Sequence, residues 1–244
     1  AQKRRAQKIR ILSRGDKDQQ RLADKLERCR KDNRCESGAC DVCVRLYRLR
    51  LYRRSQAIFS ARLDWTRASV IPAGLLVAVG ELSNDDLDAI ASMIDKRLER
   101  SSLCNRLVFV GIDISHNLQD NKSLGWQMHL YVLIEGKNTL RLREAIKAAF
   151  PPEQTAPVPF QFQPMNDSTR AITYLFKAIF KRRSRYTNAN GQPCTKSLPL
   201  KGPELRELLQ FLDQHSVGER LILRGIRRNG RHLVIINHGH EASK

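Results

Sequence analysis

Residues 125–135 read Gly125-Trp-Gln-Met-His-Leu-Tyr-Val-Leu-Ile-Glu135 and predict a β-strand with two unlike faces. Alternate residues of a strand point to opposite sides of its sheet. The wholly apolar face comprises Trp126, Met128, Leu130, Val132 and Ile134. The largely polar face comprises Gln127, His129, Tyr131, Leu133 and Glu135. Polar residues along one face of a central strand indicate a functional site.

Residues 107–115 predict a second strand of the same kind, with Gly111, Asp113 and Ser115 opposite an apolar face. If the two strands pair, Asp113 approaches Gln127 and His129. Nitrogen and oxygen ligands would then surround a divalent cation such as Mg²⁺ or Mn²⁺. The alternative is that His129 is an ordinary half-buried histidine and Asp113 caps a loop.

The order of predicted elements around these strands is β-α-β-β-α-β, followed by a helix. This order favours an α+β protein with a ferredoxin-like antiparallel sheet. The predicted strands are 74–80, 107–115, 126–135 and 158–163, and the helices are 83–99, capped by Ser83, and 138–150, capped by Asn138. Residues 183–200 predict a polar loop, 203–215 a helix, and 220–225 with 232–237 a hairpin around Asn229-Gly230.

The helix predicted at 168–182 carries an apolar stripe and a basic stripe. The apolar stripe comprises Ile172, Phe176, Ile179 and Phe180, and the basic stripe comprises Arg170, Tyr174, Lys177 and Lys181. No acidic residue occurs from Ser168 to Tyr186. A phenol in this position would contact the phosphate groups of a nucleic acid. The neighbouring ammonium groups favour its phenolate form, which is the nucleophile. The alternative is a tyrosine that stacks on a base or lies at the helix edge.

The chain has 244 residues and a formal net charge of +19. Residues 1–54 alone contain 18 basic and 7 acidic residues. Such a charge indicates a nucleic-acid partner, with a non-specific basic surface or a ribosome-associated protein as the alternative. The candidate nucleic-acid-binding residues are Arg45, Arg48, Arg50, Arg53, Arg54, Arg170, Lys181, Arg182 and Arg183.

Four of the six cysteines fall within 15 residues, with the spacing C-x5-C-x4-C-x2-C. They are Cys29, Cys35, Cys40 and Cys43. This pattern predicts a structural zinc site with four thiolates. Cys29 has the least common spacing, and His116 could replace it if the fold brings it close; four unrelated cysteines are the other alternative. Cys104 and Cys194 stand alone and are expected to be structural.

Three regions are therefore predicted: a basic zinc-binding module at 1–54, a central domain with the ferredoxin-like sheet at 70–186, and a helix-hairpin extension at 199–244. No apolar run reaches the length of about 20 residues that a bilayer crossing requires, and no secretion signal is evident. We expect a cytoplasmic protein associated with the nucleoid or a plasmid.

Residues 29–182 resemble the rolling-circle replication initiators of the histidine-hydrophobic-histidine (HUH) endonuclease superfamily. Gln127-Met128-His129 stands where the family has its histidine pair, with glutamine in the first position, and Tyr174-Leu-Phe-Lys177 matches the downstream tyrosine motif. The segment Cys35–Cys43 is similar to zinc-binding regions of some plasmid and mobile-element replication proteins.

The resemblance implies that the tyrosine attacks a DNA phosphodiester and leaves a 5′-phosphotyrosine and a free 3′-hydroxyl. A divalent metal held by Gln127, His129 and Asp113 would polarise the phosphate, and Lys177 would assist. The implied function is site-specific nicking and joining of a single-stranded or hairpin DNA origin, with host replication proteins as further partners, for a plasmid, phage or transposon. The rival is a non-catalytic nucleic-acid-binding regulator with a degenerate HUH fold. Tyr186 is the reserve nucleophile.

Overall fold

The computed structural model describes residues 1–61, 64–120, 122–165, 167–230 and 232–236, without the side chains of Arg170 and Pro193. The Arg170 side chain and Asn237, which belong to the basic stripe and the hairpin of the sequence prediction, therefore lie outside the described residues. None of the helices in these ranges has both the length and the apolar character that a bilayer crossing needs.

The helices are α1 (Gln2–Leu12), α2 (Lys17–Glu27), α3 (Asp41–Ala61), α4 (Leu87–Glu99), α5 (Leu140–Ala149), α6 (Ser168–Leu175) and α7 (Gly202–Gln214). Short 3-10 turns lie at Leu82–Asn84 and Val217–Arg220. The strands are β1 (Trp65–Val70), β2 (Leu76–Val77), β3 (Val108–Gln119), β4 (Lys122–Glu135), β5 (Phe160–Pro164), β6 (Lys181–Thr187), β7 (Pro193–Pro199), β8 (Leu221–Arg224), β9 (Ile226–Asn229) and β10 (His232–Ile235).

The main sheet has the strand order β5-β1-β4-β3-β6-β7, with β2 added to β4 and β8 added to β3. Strand β6 runs parallel to β3, and the other paired strands of the sheet run antiparallel. The protein is thus α+β, with a mainly antiparallel sheet and a cysteine cluster near its N-terminal end.

The long hairpin of β3 and β4 forms the centre of this sheet, as the alternating sequences predicted. Asp113 pairs with His129, and Ser115 pairs with Gln127. The predicted apolar face is buried along its whole length, from Trp126 to Ile134. The opposite face therefore holds the polar side chains side by side.

The sequence prediction missed the first strand of the sheet. Strand β1 contains Trp65-Thr-Arg-Ala-Ser-Val70, and it lies between β4 and β5. The predicted strand at 74–80 is reduced to the two residues of β2, because Gly74 and Gly80 adopt positive φ angles that end an extended segment. The first long strand of the sheet is therefore β1, which lies before the segment bounded by Gly74 and Gly80.

The two helices that follow begin later than predicted, because other residues cap them. The Asp86 side chain accepts the backbone N–H of Asp88, so α4 begins at Leu87 and Ser83 lies in a 3-10 turn. Thr139 accepts the N–H of Leu142, so α5 begins one residue later than an Asn138 cap would give.

The helix predicted at 168–182 ends at Leu175, and the chain returns to the sheet as β6. The predicted polar loop at 183–200 is in fact the hairpin of β6 and β7. Strand β6 satisfies its backbone groups on the edge of β3. Because the chain has left the helix, Ile179 is 50% exposed and does not belong to a buried stripe.

The C-terminal part also pairs differently from the prediction. Helix α7 agrees with the predicted helix at 203–215. Strand β8 pairs with β3 and not with β10. It is β9 that pairs with β10 around Asn229-Gly230. At the other end of the chain, α3 continues past Arg54 to Ala61 and contacts α6 and β10.

Candidate functional site

A glycine brings α6 onto the polar face of the central hairpin. A Cβ atom on Gly111 would lie 2.1 Å from the carbonyl oxygen of Leu175, at the end of α6. Only glycine allows a backbone to approach a strand this closely. The approach places Tyr174 and Lys177 above the polar residues of β3 and β4.

Four side chains form the centre of this face. The Lys177 Nζ atom lies 3.2 Å from Asp113 Oδ2 and also donates to the Tyr131 hydroxyl. The Tyr131 hydroxyl in turn lies 3.3 Å from Asp113 Oδ2. The rings of Tyr131 and Tyr174 meet edge to face with their centres 4.3 Å apart, and Nζ lies 4.6 Å from the Tyr174 ring centre. Tyr174 is 39% exposed whereas Asp113 is 4% exposed, and Tyr174 is the most exposed of the four side chains.

Burial decides the protonation state of Tyr131. Burial and the negative charge of Asp113 raise the pKa of the Tyr131 hydroxyl far above its usual value. Tyr131 is therefore a neutral phenol that can donate a hydrogen bond. A further cation is Arg67 of β1, whose guanidinium carbon lies 5.9 Å from the centre of the Tyr174 ring.

His129 belongs to a separate chain of hydrogen bonds. Its Nε2 atom lies 2.7 Å from the Ser115 hydroxyl, and that hydroxyl donates to Asn117 Oδ1 at 3.0 Å. Because Ser115 has one proton and gives it to Asn117, its oxygen accepts from His129. The proton of the neutral imidazole is therefore on Nε2.

Positive charges surround this imidazole. Burial, followed by the charges of Arg183, Lys177 and Arg185, lowers the pKa of His129 to about 3. Arg183 lies in parallel register with Asn117, and Arg185 follows on the same face of β6. The polar face is therefore bordered by arginines.

The third predicted metal ligand, Gln127, uses its amide for the backbone. Its Nε2 atom donates to the carbonyl oxygens of Leu75 at 3.1 Å and Met128 at 3.2 Å. Asp113 is engaged by Lys177, and His129 by Ser115, as described above. The hairpin thus brings Asp113, Gln127 and His129 to one face, where each of the three side chains also contacts a neighbouring residue of the protein.

The predicted nucleic-acid-binding residues have different surroundings. Arg182 faces away from this site, donates to the Pro199 carbonyl oxygen at 3.0 Å and lies 3.7 Å from Glu204. Tyr186, the reserve nucleophile, is 47% exposed on β6. Exposed positions are occupied by Arg45, Arg50, Arg53 and Lys181, and half-buried positions by Arg48, Arg54, Arg182 and Arg183.

Three site residues were not assigned from the sequence: Tyr131, Arg67 and Arg185. The alternation of β4 already put Tyr131 on the polar face with His129, which is a signal that could have identified it. Arg67 and Arg185 lie on strands that the sequence did not predict, so no pattern placed them.

Beneath the site, the fold buries a further cation. Arg220 is 1% exposed, and its guanidinium carbon lies 5.8 Å from the Phe176 ring centre and 5.6 Å from that of Phe180. None of its three side-chain nitrogens has a hydrogen-bond partner among the described residues. Burial lowers the pKa of Arg220 to about 10, although the charges of Asp113 and Tyr47 oppose this.

The four clustered cysteines meet as the spacing predicted. Cys43 Sγ lies 3.6 Å from both Cys29 Sγ and Cys35 Sγ, and Cys40 Sγ lies 3.8 Å from Cys29 Sγ. All four sulfurs lie within 4.8 Å of one another. Four sulfurs around a tetrahedral zinc ion lie about 3.8 Å apart, so this cluster can hold a metal such as zinc.

Cys29 belongs to this cluster, and His116 does not replace it. The His116 Nδ1 atom faces Glu204 at 3.1 Å and its Nε2 atom faces Ser123 at 2.8 Å. The other two cysteines, Cys104 and Cys194, are half-buried and lie outside the group.

Helix α1 supplies basic residues around the cluster. Lys8 is buried, donates to the Ala39 carbonyl oxygen at 2.9 Å and lies 3.0 Å from Asp41. Arg5 donates to the carbonyl oxygen of Cys29 at 2.9 Å. Hydrogen bonds from the Cys35 thiol and other groups lower the pKa of Cys40. Positive charges beside thiolates favour their deprotonated, metal-binding form.

Comparison of the chain with sequence profiles of protein families, with curated proteins and with solved structures gives no match.

Proposed function

We propose that this protein nicks and rejoins single-stranded DNA, with Tyr174 as the nucleophile. The observation that carries the proposal is the position of Tyr174: solvent-exposed, beside the Lys177 ammonium, and directly above buried Asp113 and Tyr131. A tyrosine that only stabilises the core would not need a neighbouring ammonium and an open side. A tyrosine that attacks phosphate needs both.

The path of the chain supports the same proposal. The order β1-α4-β3-β4-α5-β5, together with the strand order β5-β1-β4-β3, supports the proposal of a ferredoxin-like sheet. We propose that this part of the sheet is an HUH-like domain, in which Gln127 and His129 lie on a central strand and Tyr174 lies downstream on α6. The regions proposed at 1–54 and 199–244 flank it.

In the proposed reaction, the Tyr174 oxygen forms a bond to a backbone phosphorus and loses its proton. The bond from phosphorus to the 3′-oxygen breaks, and that oxygen takes a proton to become a hydroxyl. The product is a 5′-phosphotyrosine, and reversal of the same step rejoins a strand. Lys177 and Arg183 offset negative charge on the phosphoryl oxygens. A divalent cation would polarise the phosphate if one bound, but no step here depends on it.

The test uses single-stranded oligonucleotides labelled at the 3′ end, because that label remains on the protein-linked fragment. Wild-type protein is expected to give a covalent adduct, Tyr174→Phe to give none, and Tyr186→Phe to retain it. Each protein is assayed with Mg²⁺, with Mn²⁺ and with EDTA. An adduct mapped to Tyr186 would overturn the assignment of Tyr174 and keep the mechanism.

A non-catalytic nucleic-acid-binding protein is the second candidate. The glutamine at position 127, where the family has a histidine, favours it, as do the structural hydrogen bonds that Gln127 and His129 form. Absence of an adduct at any tyrosine, together with salt-dependent binding of the oligonucleotide, would establish this second function.

A further inference from the structure

A pocket of about 260 Å³ lies away from the Tyr174 site, between α3, the cysteine loop, the 3-10 turn at Val217–Arg220 and the β9–β10 hairpin. One part of its wall is apolar and is formed by Leu46, Tyr47, Leu51, Val217 and Leu233. The other part is lined by Arg34, Arg50, Arg54 and Arg228. The pocket therefore offers an apolar surface and a group of positive charges within one small volume.

The arginines of this pocket are not neutralised by the protein itself. Within the described ranges, none of the four forms an ion pair with a carboxylate, and Glu36 is the one acidic residue of the wall. Arg228 donates to the Tyr47 hydroxyl at 2.8 Å, which fixes its position at the pocket edge. Arginines that converge without acidic partners are typical of phosphate recognition.

The size and the two kinds of wall point to one ligand class. A phosphate group alone needs no apolar wall, and an apolar molecule alone needs no arginines. A nucleotide has both parts, since its phosphate binds guanidinium groups and its base packs on aromatic and aliphatic side chains. We propose that this pocket binds a nucleoside monophosphate unit, with its phosphate at Arg50 and Arg54 and its base against Tyr47 and Leu51.

The pocket and the Tyr174 site are neighbours but separate. The Tyr47 ring packs edge to face on Phe176, two residues after Tyr174, with the ring centres 5.1 Å apart. The proposal does not depend on nicking, because it requires only that the protein binds nucleotides. A nucleotide seated here would hold a DNA strand beside α6, which positions its neighbouring phosphates for Tyr174.

The experiment measures binding of dTMP and of a 5′-labelled 12-nucleotide single strand at fixed salt. The double variant Arg50→Gln/Arg54→Gln is expected to weaken binding of both ligands at least about tenfold. Arg10→Gln is the control, because Arg10 is an exposed arginine of α1 that neither lines the pocket nor belongs to the candidate nucleic-acid-binding residues. It is expected to change binding less than about twofold. Circular dichroism and metal content show that each variant is folded.

A second variant blocks the pocket without changing charge. A Cβ atom at Gly218 would lie 3.3 Å from the Tyr47 hydroxyl and 3.4 Å from the Arg228 nitrogens, so Gly218→Leu directs a side chain into the cavity. We expect it to weaken dTMP binding as the arginine variants do. If Gly218→Leu binds like wild type, or if Arg10→Gln has as large an effect as the double variant, the pocket proposal is overturned.

Two comparisons separate this proposal from others. If dTMP binds but the single strand does not compete with it, the source of the ligand is a free nucleotide and the pocket proposal stands. Tyr174→Phe is expected to bind both ligands normally. If instead the wild-type protein binds both ligands but gives no adduct, the nicking proposal is removed and the pocket proposal remains.

Discussion

The Nζ atom of Lys177 lies 3.2 Å from the Oδ2 atom of Asp113, and this pair joins the end of α6 to the centre of the sheet. Asp113 is almost fully buried, whereas Lys177 is partly exposed beside Tyr174. The carboxylate therefore fixes the position of an ammonium group that an incoming phosphate can still reach. Asp113 therefore holds the Lys177 ammonium in one place, so that this charge is preorganised for a phosphate.

Replacing this cation should separate chemistry from binding. We expect Lys177→Met to slow adduct formation at least about 100-fold, because a preorganised positive charge near the phosphate is lost. Oligonucleotide affinity should change little, since the arginines around the site remain. The rate of adduct formation is measured in single-turnover assays. Low temperature keeps the variant folded, because leaving Asp113 without Lys177 also lowers the unfolding free energy by about 1–3 kcal/mol. Lys181→Met, at an exposed position, serves as the control, and an equal loss there would contradict the role of Lys177.

A methyl group at position 111 should displace α6. The Cβ atom of Gly111→Ala would lie 2.1 Å from the Leu175 carbonyl oxygen, a contact with backbone that cannot rotate away. We expect a loss of at least about 1–3 kcal/mol of unfolding free energy, together with loss of adduct formation. Gly202→Ala is the matched control, since its nearest neighbour is the flexible end of Arg206 at 3.5 Å. Urea denaturation of both variants gives the comparison, and an unchanged midpoint for Gly111→Ala would refute the close packing.

Stability should fall in acid because His129 is buried in its neutral form. Its pKa is about 3 in the folded protein and near 6.5 when unfolded, so the unfolded chain binds the additional proton between these values. This group therefore contributes full stability above about pH 6.5 and loses it as the pH falls toward 3, by about 1 kcal/mol per pH unit.

The variant His129→Gln removes this titration and isolates its effect from those of other groups. Its unfolding free energy, measured by denaturant titration from pH 7 to pH 4, should fall less steeply than that of wild type. Parallel curves for the two proteins would show that His129 does not titrate as its surroundings imply.

The cysteine cluster should make folding depend on metal. Purified protein is expected to contain about one zinc ion per chain, and Cys43→Ser should lose it and lower the melting temperature, because the metal site forms only in the folded protein. Cys104→Ser lies outside the cluster and should retain the metal. Elemental analysis and thermal melts with and without a chelator test both variants. Metal-free wild-type protein of unchanged stability would exclude the site.

The central hairpin could be predicted from the sequence because its alternation is strict. In β3 and β4 the apolar residues occupy every second position, so both the strands and the polar face follow from the sequence. The cysteine cluster could be predicted for a different reason, since spacing alone places thiols within reach of one ion.

Strands β1 and β6 could not be predicted in this way. The segment Lys181-Arg-Arg-Ser-Arg-Tyr-Thr187 has no apolar alternation, and it is extended because the edge of β3 pairs with its backbone. A local helix preference at 168–182 therefore gave way to a long-range contact. For the same reason Arg67 and Arg185 could not be assigned to the site from the sequence, because their positions depend on strand pairing that no local sequence pattern predicts.

The buried Arg220 has a consequence for how this protein evolves under selection. A buried guanidinium group without hydrogen bonds from the described part of the chain costs folding free energy, and its contacts with the rings of Phe176 and Phe180 offset part of that cost. Natural domains have a margin of only about 5–15 kcal/mol, so one such residue takes a noticeable share of it. Selection for abundance or heat resistance alone would replace Arg220 with methionine or leucine. If arginine is retained in lineages that keep Tyr174 and lost in lineages that lack it, stability at this position has been given up for activity.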